Sequence, residues 1–260
     1  MSALRQAEPP DTVPFGYRDV AAADKKRLVR SQFDPIARRY DLADTLLSVG
    51  LDGRWRKEAI RLLDLQPGDL VLDACGGTAR LARLAAPHVG PDGRVTVCDF
   101  NLPMIKAGRD ALRTAEERRL IAFVQGDAES LCFPDATFDA VTIGLGIRNL
   151  VHPEQGLREC LRVLTAGGRL LIFEFSVPVN PLLRGLYHVY SFCWMPLVGR
   201  LICGTAAPFR YLAESMRVFP KPDDVTVMIR NAGFSDVRFR RLFNGIAVVY
   251  LGLKPGSPPR

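Results

Sequence analysis

Three short segments of this chain combine residue types and positions that could hold a ligand. An apolar run, Leu70-Val71-Leu72-Asp73, leads into Cys75-Gly76-Gly77-Thr78 with a helical pattern directly after it. Glycines at such a turn let the backbone approach a ligand closely, and the helix start presents free amides. A second apolar run ends at Asp99, about twenty residues on, where a carboxylate can accept hydrogen bonds from both hydroxyls of a ribose. A third ends at Gly126-Asp127-Ala128-Glu129, where Asp127 can bind the exocyclic amine of an adenine. Sites at the carboxyl ends of neighbouring parallel strands converge on one crevice. The turn departs from G-x-G-x-x-G and no second nucleotide half follows, so the expected ligand is a nucleoside without a pyrophosphate. A structural alternative stays open, because residues 99–101 are all good helix-capping types and Asp99 could serve only as a cap.

These positions need a scaffold, and the apolar pattern supplies one. Strands are expected at residues 69–74, 94–99, 121–125, 138–144 and 168–175, with helices at 78–86, 103–118 and 153–164 between them. Strands alternating with helices build a parallel sheet covered on both faces. Residues 177–215 interrupt the rhythm with an aromatic, apolar, partly helical insertion. A helix at 222–231 follows, then strands at 237–242 and 247–253 joined through Asn244-Gly245, a strong hairpin signal. Ahead of the sheet, residues 21–33 and 46–63 read as helices, with Phe33, Ile36, Ala37 and Tyr40 continuing an apolar stripe. The predicted architecture is one Rossmann-like α/β domain over 21–253, with residues 1–20 as a flexible arm and 254–260 as a flexible tail.

The net charge of +7 comes from scattered groups such as 25–30, 38–39 and 238–241 and forms no long basic tract with interleaved aromatics, so no nucleic-acid partner is expected. The six cysteines lie far apart without ligand spacing, which predicts small buried apolar residues and no metal site. His88, His152 and His188 show no ligand spacing either. The start of the chain lacks the apolar core of a signal peptide, and the most apolar stretch, 182–203, is interrupted by Arg184, His188, Pro196 and Arg200. A cytoplasmic protein is expected.

Taken together, the residues closely resemble the ubiquinone and menaquinone biosynthesis C-methyltransferases, a family of class I methyltransferases. The resemblance runs from about Phe15-Gly16-Tyr17 to Leu253 and rests on Phe33-Asp34 with Tyr40-Asp41, the turn at 72–78, Asp99, Phe133-Pro134 with Phe138-Asp139, Gly146-Ile147-Arg148-Asn149, Gly167-Gly168-Arg169, Glu174-Phe175-Ser176, Tyr190-Ser191-Phe192 and the run 211–215. It implies a mostly parallel seven-stranded sheet with an antiparallel C-terminal hairpin, a helical N-terminal preface and a helical lid at 177–215. It also implies that S-adenosylmethionine is the cofactor, with Asp73, Gly76, Gly77, Thr78, Asp99, Asp127 and Ala128 as its site. Arg148 and Asn149 would then lie near the reacting ring of a prenylated quinol or phenol. Tyr190, Tyr211 and Glu214 would form part of the acceptor wall.

Methyl transfer to a ring carbon needs an electron-rich ring, and loss of a proton from a ring hydroxyl makes the ortho carbon nucleophilic. Arg148 stays protonated, so its expected part is to stabilise the phenolate, with a water or Asn149 helping the proton leave. The alternative is that Arg148 pairs with a carboxylate at the end of the fourth strand, 138–144, and only holds its loop. The chain departs from the family pattern at Ala79, where a third glycine is usual, at Arg80, where an acid is common, at Gly144, where a Ser is often found, and at Asp44 and Asp52, where Asn and His are more usual. The apolar residues of 182–203 could form a lid or lie at a membrane interface. The oligomeric state is left open, a homodimer among the options.

Overall fold

Residues 11–256 are described by a computed structural model of this chain. Two strands, β1 (Thr12–Phe15) and β2 (Arg18–Ala21), pair as an antiparallel hairpin at its start. This corrects the expected arm at 1–20 for its second half, while residues 1–10 lie outside the described residues. The strand pattern turns Val13 and Phe15 inward, and the Phe15 ring stacks on Tyr211 with centroids 4.4 Å apart. Helix α1 (Ala22–Phe33) follows, then a 3-10 turn (Asp34–Arg39) opened by Pro35, and helix α2 (Tyr40–Leu47). The helix expected over 46–63 is broken at Gly50, whose φ of +75° is left-handed, and restarts as α3 (Leu51–Leu63).

The core strands are β3 (Leu70–Ala74), β4 (Arg94–Asp99), β5 (Ile121–Gln125), β6 (Phe138–Gly144) and β7 (Leu164–Phe175), joined by the C-terminal pair β8 (Ser235–Leu242) and β9 (Ala247–Leu253). They form one seven-stranded sheet in the order β5-β4-β3-β6-β7-β9-β8. The first five run parallel, and β9 lies antiparallel between β7 and β8. Alternate residues feed opposite faces: Val71, Val95 and Val97 pack with Leu81 and Ala85 on one side, and Leu72, Val141 and Ile172 pack with Leu157 on the other. The chain moves from β3 outward to β4 on one side and returns to β6 on the other, which opens a crevice at the carboxyl ends of β3, β4 and β6.

Helices α4 (Arg80–Val89), α5 (Leu102–Ala111), α6 (Ala115–Leu120) and α7 (Pro153–Val163) cover the sheet. The single helix expected over 103–118 is two, because Thr114 starts a new one with a capping box: its hydroxyl accepts from Glu117 N at 3.0 Å, and Glu117 accepts from Thr114 N at 3.1 Å. The insertion folds as α8 (Pro181–Val189), a π turn (Tyr190–Trp194), α9 (Met195–Cys203) and α10 (Ala207–Val218), before α11 (Pro222–Asn231) returns to the sheet. Helix α10 buries Phe209, Tyr211 and Ala213, whereas α8 buries nothing. The predicted tail is pinned at its start, where Lys254 donates to the Leu164 carbonyl at 2.6 Å; residues 257–260 lie outside the described residues. Cys98 and Cys160 are buried, but Cys132 and Cys193 are exposed, so the expectation of buried thiols holds for only part of the set.

Candidate active site

At the crevice a hollow of about 700 Å³, open to solvent at its mouth, is floored by the turn between β3 and α4. Gly76 is required there, because a Cβ would fall 2.8 Å from both the Asp73 carbonyl and Val97. Gly77 has φ of +51° and donates its amide to Asp99 Oδ2 at 2.9 Å, while Asp99 Oδ1 accepts from Asn101 N at 2.8 Å. The carboxylate is therefore bonded directly to the glycine turn at the edge of the hollow that both line. Burial raises its pKa to about 6, against the two amides that favour the charged form. The capping alternative falls to Asn101, whose side chain accepts from Met104 N at 3.0 Å and starts α5.

Asp73 lines the hollow, yet its carboxylate is engaged below it, accepting from the Thr142 hydroxyl at 2.7 Å and from Ala82 N at 3.2 Å. It holds the turn together, and burial raises it to about 6. Thr78 also lines the hollow and donates its hydroxyl to Asp41 at 2.6 Å. Asp127 and Ala128 flank the hollow without lining it. The turn that carries them is tied to Asp99 through Gly126 N, which donates to the Asp99 carbonyl at 3.1 Å. Lys26 of α1 holds Asp127 at 2.5 Å and Glu129 at 3.0 Å, and Lys25 donates to the Leu150 carbonyl at 2.6 Å. These bonds lay α1 along the hollow, with Val29 and Phe33 as part of its wall. The basic run 25–30 gave no sign of this in sequence, since its partners lie about a hundred residues away.

Arg148 and Asn149 sit at the carboxyl end of β6 with different surroundings. Arg148 is buried, donates to the Leu145 carbonyl at 3.0 Å and forms a close ion pair with Glu174 at the end of β7. Burial raises the Glu174 carboxyl, opposed by the guanidinium beside it. An ion pair with a carboxylate is thus present, but its partner stands at the end of β7 and not of β6, where the alternative put it, and Arg148 also lines a small space together with Tyr40, Asp44 and Phe175. Asn149 lines the first hollow and accepts the Tyr211 hydroxyl at 3.0 Å.

Beyond that small space lies a second hollow of about 710 Å³, with Leu47, Trp55, Phe175, Tyr190, Leu212 and Met216 in its wall. Tyr190 therefore falls where an acceptor wall was expected, and its hydroxyl donates to the Leu47 carbonyl. Tyr211 and Glu214 do not line it. Tyr211 braces Asn149 from behind, and burial pushes its phenol up to about 12. Glu214 points the other way on α10, accepting weakly from Tyr17 N at 3.4 Å beside Gly16, so it anchors the N-terminal hairpin.

The residues that sequence reasoning did not bring together are Asp44, Asp52, Arg56 and Arg80. Arg56 pairs with Asp44 at 2.7 Å, and Arg80 pairs with Asp44 at 3.1 Å and with Asp52 at 2.5 Å, all in a largely buried cluster between the two hollows. Three of these positions were marked as departures from the family pattern. Their mutual contact arises only when α2 and α3 pack on the start of α4. Among the described residues no group of three or more His, Cys, Asp or Glu is placed to hold a metal, and no helix is long and apolar enough to cross a membrane.

The sheet order, the nucleoside-sized cradle and the apolar hollow beside it define a Rossmann-like methyltransferase fold. A SAM-dependent methyltransferase of Thermotoga maritima, described as a possible histamine N-methyltransferase, superposes with a TM-score of 0.58 at 18% identity, over 86% of this chain and 99% of that one. The chain belongs to the ubiE/COQ5 methyltransferase family, whose model matches residues 20–254. It is 45% identical to the ubiquinone/menaquinone biosynthesis C-methyltransferase UbiE of Ectopseudomonas mendocina, over 98% of this chain and all of the relative. The protein of the same name from Pseudomonas syringae pv. tomato is 43% identical over 96% of each chain. This chain is a methyltransferase.

Proposed function

We propose that the protein uses S-adenosylmethionine to methylate a ring carbon of a prenylated quinol, a demethylmenaquinol or a ubiquinol precursor, in respiratory quinone biosynthesis. The observation that carries this reading is the adjacency of the hollows. The polar cradle and the small space at Arg148 share Phe33 and Tyr40, and that space and the apolar hollow share Asp44, Leu47, Phe175 and Leu212. A nucleoside in the first and an apolar ring with its tail in the second would meet beside Arg148.

The cradle fits an adenosyl group. Asp99 keeps a lone pair on each oxygen for the ribose hydroxyls, the close approach at Gly76 and Gly77 admits the backbone, and the turn at Asp127 and Ala128, tied to Asp99 through Gly126, would take the adenine. Bound S-adenosylmethionine supplies a methyl group made electrophilic by its sulfonium. The chain's own residues do the rest. Arg148 offers its guanidinium to a developing phenolate. Its partner Glu174 keeps the guanidinium fixed, and Tyr211 keeps Asn149 from swinging out of the hollow wall.

An acceptor of this kind resides in a bilayer. The insertion at 182–203 exposes Leu182, Leu186, Val189, Trp194, Leu197 and Leu201, with Arg184 and Arg200 on the same segment. We assign this face to contact with an anionic membrane surface from its aqueous side. Flotation with liposomes containing anionic lipid should carry the parent protein and lose it on Trp194→Asp; a parent that does not float removes this assignment. The functional reading itself is tested by mass spectrometry of quinones in a strain lacking this methylation. Expression of the chain should convert the accumulated demethylated quinone to the methylated one, and an unchanged quinone profile counts against it.

A further inference from the structure

Besides its adenosyl group, S-adenosylmethionine carries an amino-acid end with an ammonium and a carboxylate. A ribose at Asp99 on β4 and an adenine toward β5 leave that end to run over β3 toward β6, the next strands in the sheet. A carboxylate taken out of water needs a cation or several donors. The side-chain donors that line the cradle can be sorted by what they already do. Thr78 gives its hydroxyl to Asp41 at 2.6 Å, Asn101 its amide to Asp34 at 2.8 Å and Asn149 its amide to the Leu145 carbonyl at 3.4 Å, while the Tyr40 phenol is neutral. Arg80 is engaged by Asp44, Asp52, the Asp41 carbonyl and the Thr45 hydroxyl.

Arg56, the other cation of the lining, differs from all of these. It sits on the buried face of α3 and is only 4% exposed. Its guanidinium is fixed along one edge, where Nη2 donates to Asp44 at 2.7 Å and Nε lies 3.6 Å from Asp52. The Phe173 ring backs it, with Cζ 5.3 Å from the ring centre. Nη1 donates to no described residue. It stands 3.6 Å from the point where a Cβ on Gly144 would fall, at the carboxyl end of β6 beside Leu81, and Gly144, Leu81 and Arg56 all line the cradle. The free edge of the guanidinium therefore reaches the cradle two strands, about 10 Å, from the end of β4 that carries Asp99.

We propose that Arg56 holds the carboxylate at the amino-acid end of the cofactor through Nη1, an assignment that rests on the S-adenosylmethionine reading above. The cradle then has a hydrogen-bond acceptor for ribose at one end, Asp99, and a cation for the carboxylate at the other. The sulfonium lies between ribose and carboxylate in the covalent chain, so a ligand held at both ends keeps its methyl group at one place along the cradle. Arg56 is suited to this because Asp44 and Phe173 fix its plane before the ligand arrives, which leaves little freedom to lose on binding.

The test compares two ligands by calorimetry on the full chain: S-adenosylmethionine and its decarboxylated form, which keeps the adenosyl group, the sulfonium and the amine and lacks only the carboxylate. The parent should bind the first about tenfold tighter or more, the size of a hydrogen bond to a charged group. Arg56→Met should lose that preference, with S-adenosylmethionine weakened and the two Kd values brought within about threefold of each other. Arg56→Lys keeps the charge without the fork and should retain a preference between those of the parent and Arg56→Met. Asp52→Asn disturbs the same ionic cluster outside the cradle and should leave the preference about tenfold, even where it lowers stability. The assignment is overturned if Arg56→Met keeps the parent's preference, its two ligands weakened alike or not at all, or if Asp52→Asn abolishes the preference as fully as Arg56→Met does. Should Arg56→Met fail to fold, the double variant Arg56→Met, Asp44→Asn, which removes the charge left behind, is judged by the same criteria. A parent that binds neither ligand overturns the cofactor reading and this assignment with it, whereas a parent that binds both alike overturns the assignment alone.

Discussion

The two hollows lie on either side of the small space that Arg148 lines but are built by different means. The nucleoside cradle is made of backbone at the ends of parallel strands, with Gly76, Gly77 and Asp99 set by the register of β3 against β4. The acceptor side is made of side chains from helices far apart in sequence: Leu47 from α2, Trp55 from α3, Leu212 and Met216 from α10. A cradle of backbone and sheet register is rigid and general, while a wall of helix side chains can be exchanged without disturbing the sheet. The sequence departures fit this division, since Asp44 and Asp52 lie on the helices and Arg80 begins the helix they pack against.

The comparison can be broken most severely at the seam. Arg148→Met leaves Glu174 buried and unpaired, which should cost about 3–5 kcal/mol in chemical denaturation and reduce turnover beyond what the lost stability explains. Adding Glu174→Gln should return much of the stability and little of the turnover; a double variant with parental turnover would show that Arg148 only holds its loop. On the cradle side, Asp99→Asn should weaken S-adenosylmethionine by roughly a hundredfold in calorimetry, two hydrogen bonds to a charged group being worth about 3 kcal/mol together. Acceptor binding should change little. Leu212→Trp should do the reverse, raising the KM for a prenylated acceptor by about tenfold or more while the cofactor Kd stays put. If either variant disables both sites equally, the division between them is wrong.

A smaller effect comes from pH. Burial raises the Asp99 carboxyl from 3.8 to about 6. The ionised form accepts both ribose hydroxyls, so cofactor affinity should fall as pH drops through about 6, by about tenfold at pH 5. Stability runs the opposite way for this group. Between about pH 4 and 6 the unfolded chain has released the proton that the folded chain still holds, so the Asp99 contribution to stability declines as pH rises across that window. Calorimetry and thermal melts over about pH 4 to 7.5 check both signs.

What could be read from the residues follows the same division. The strands, their parallel order and the Asn244-Gly245 hairpin are local patterns of apolar runs and turn residues, and the structure has them. Asp99 and the glycine turn are legible because fixed strand and helix lengths bring them together. The split at Thr114 was also written locally, in Thr114 and Glu117, although a single helix was expected across it. Glu214 was misplaced for a geometric reason: Tyr211 and Ser215 lie on the buried face of α10, and Glu214 turns toward the N-terminal hairpin. The Asp44, Asp52, Arg56 and Arg80 cluster depends on how three helices cross, which no spacing encodes. Ala79 shows how a departure is absorbed. It adopts the left-handed conformation that its glycine counterpart would take freely, with φ of +63°, and its methyl is fully buried in the core.

The account turns on methyl transfer to carbon. Purified protein incubated with S-adenosylmethionine labelled with carbon-13 in its methyl group and a reduced demethylmenaquinone should yield a product whose labelled carbon resonates as an aryl methyl. A labelled methoxy signal would move the reaction to oxygen, and a quinol recovered without label, from protein that still binds the nucleoside, would contradict the proposed acceptor.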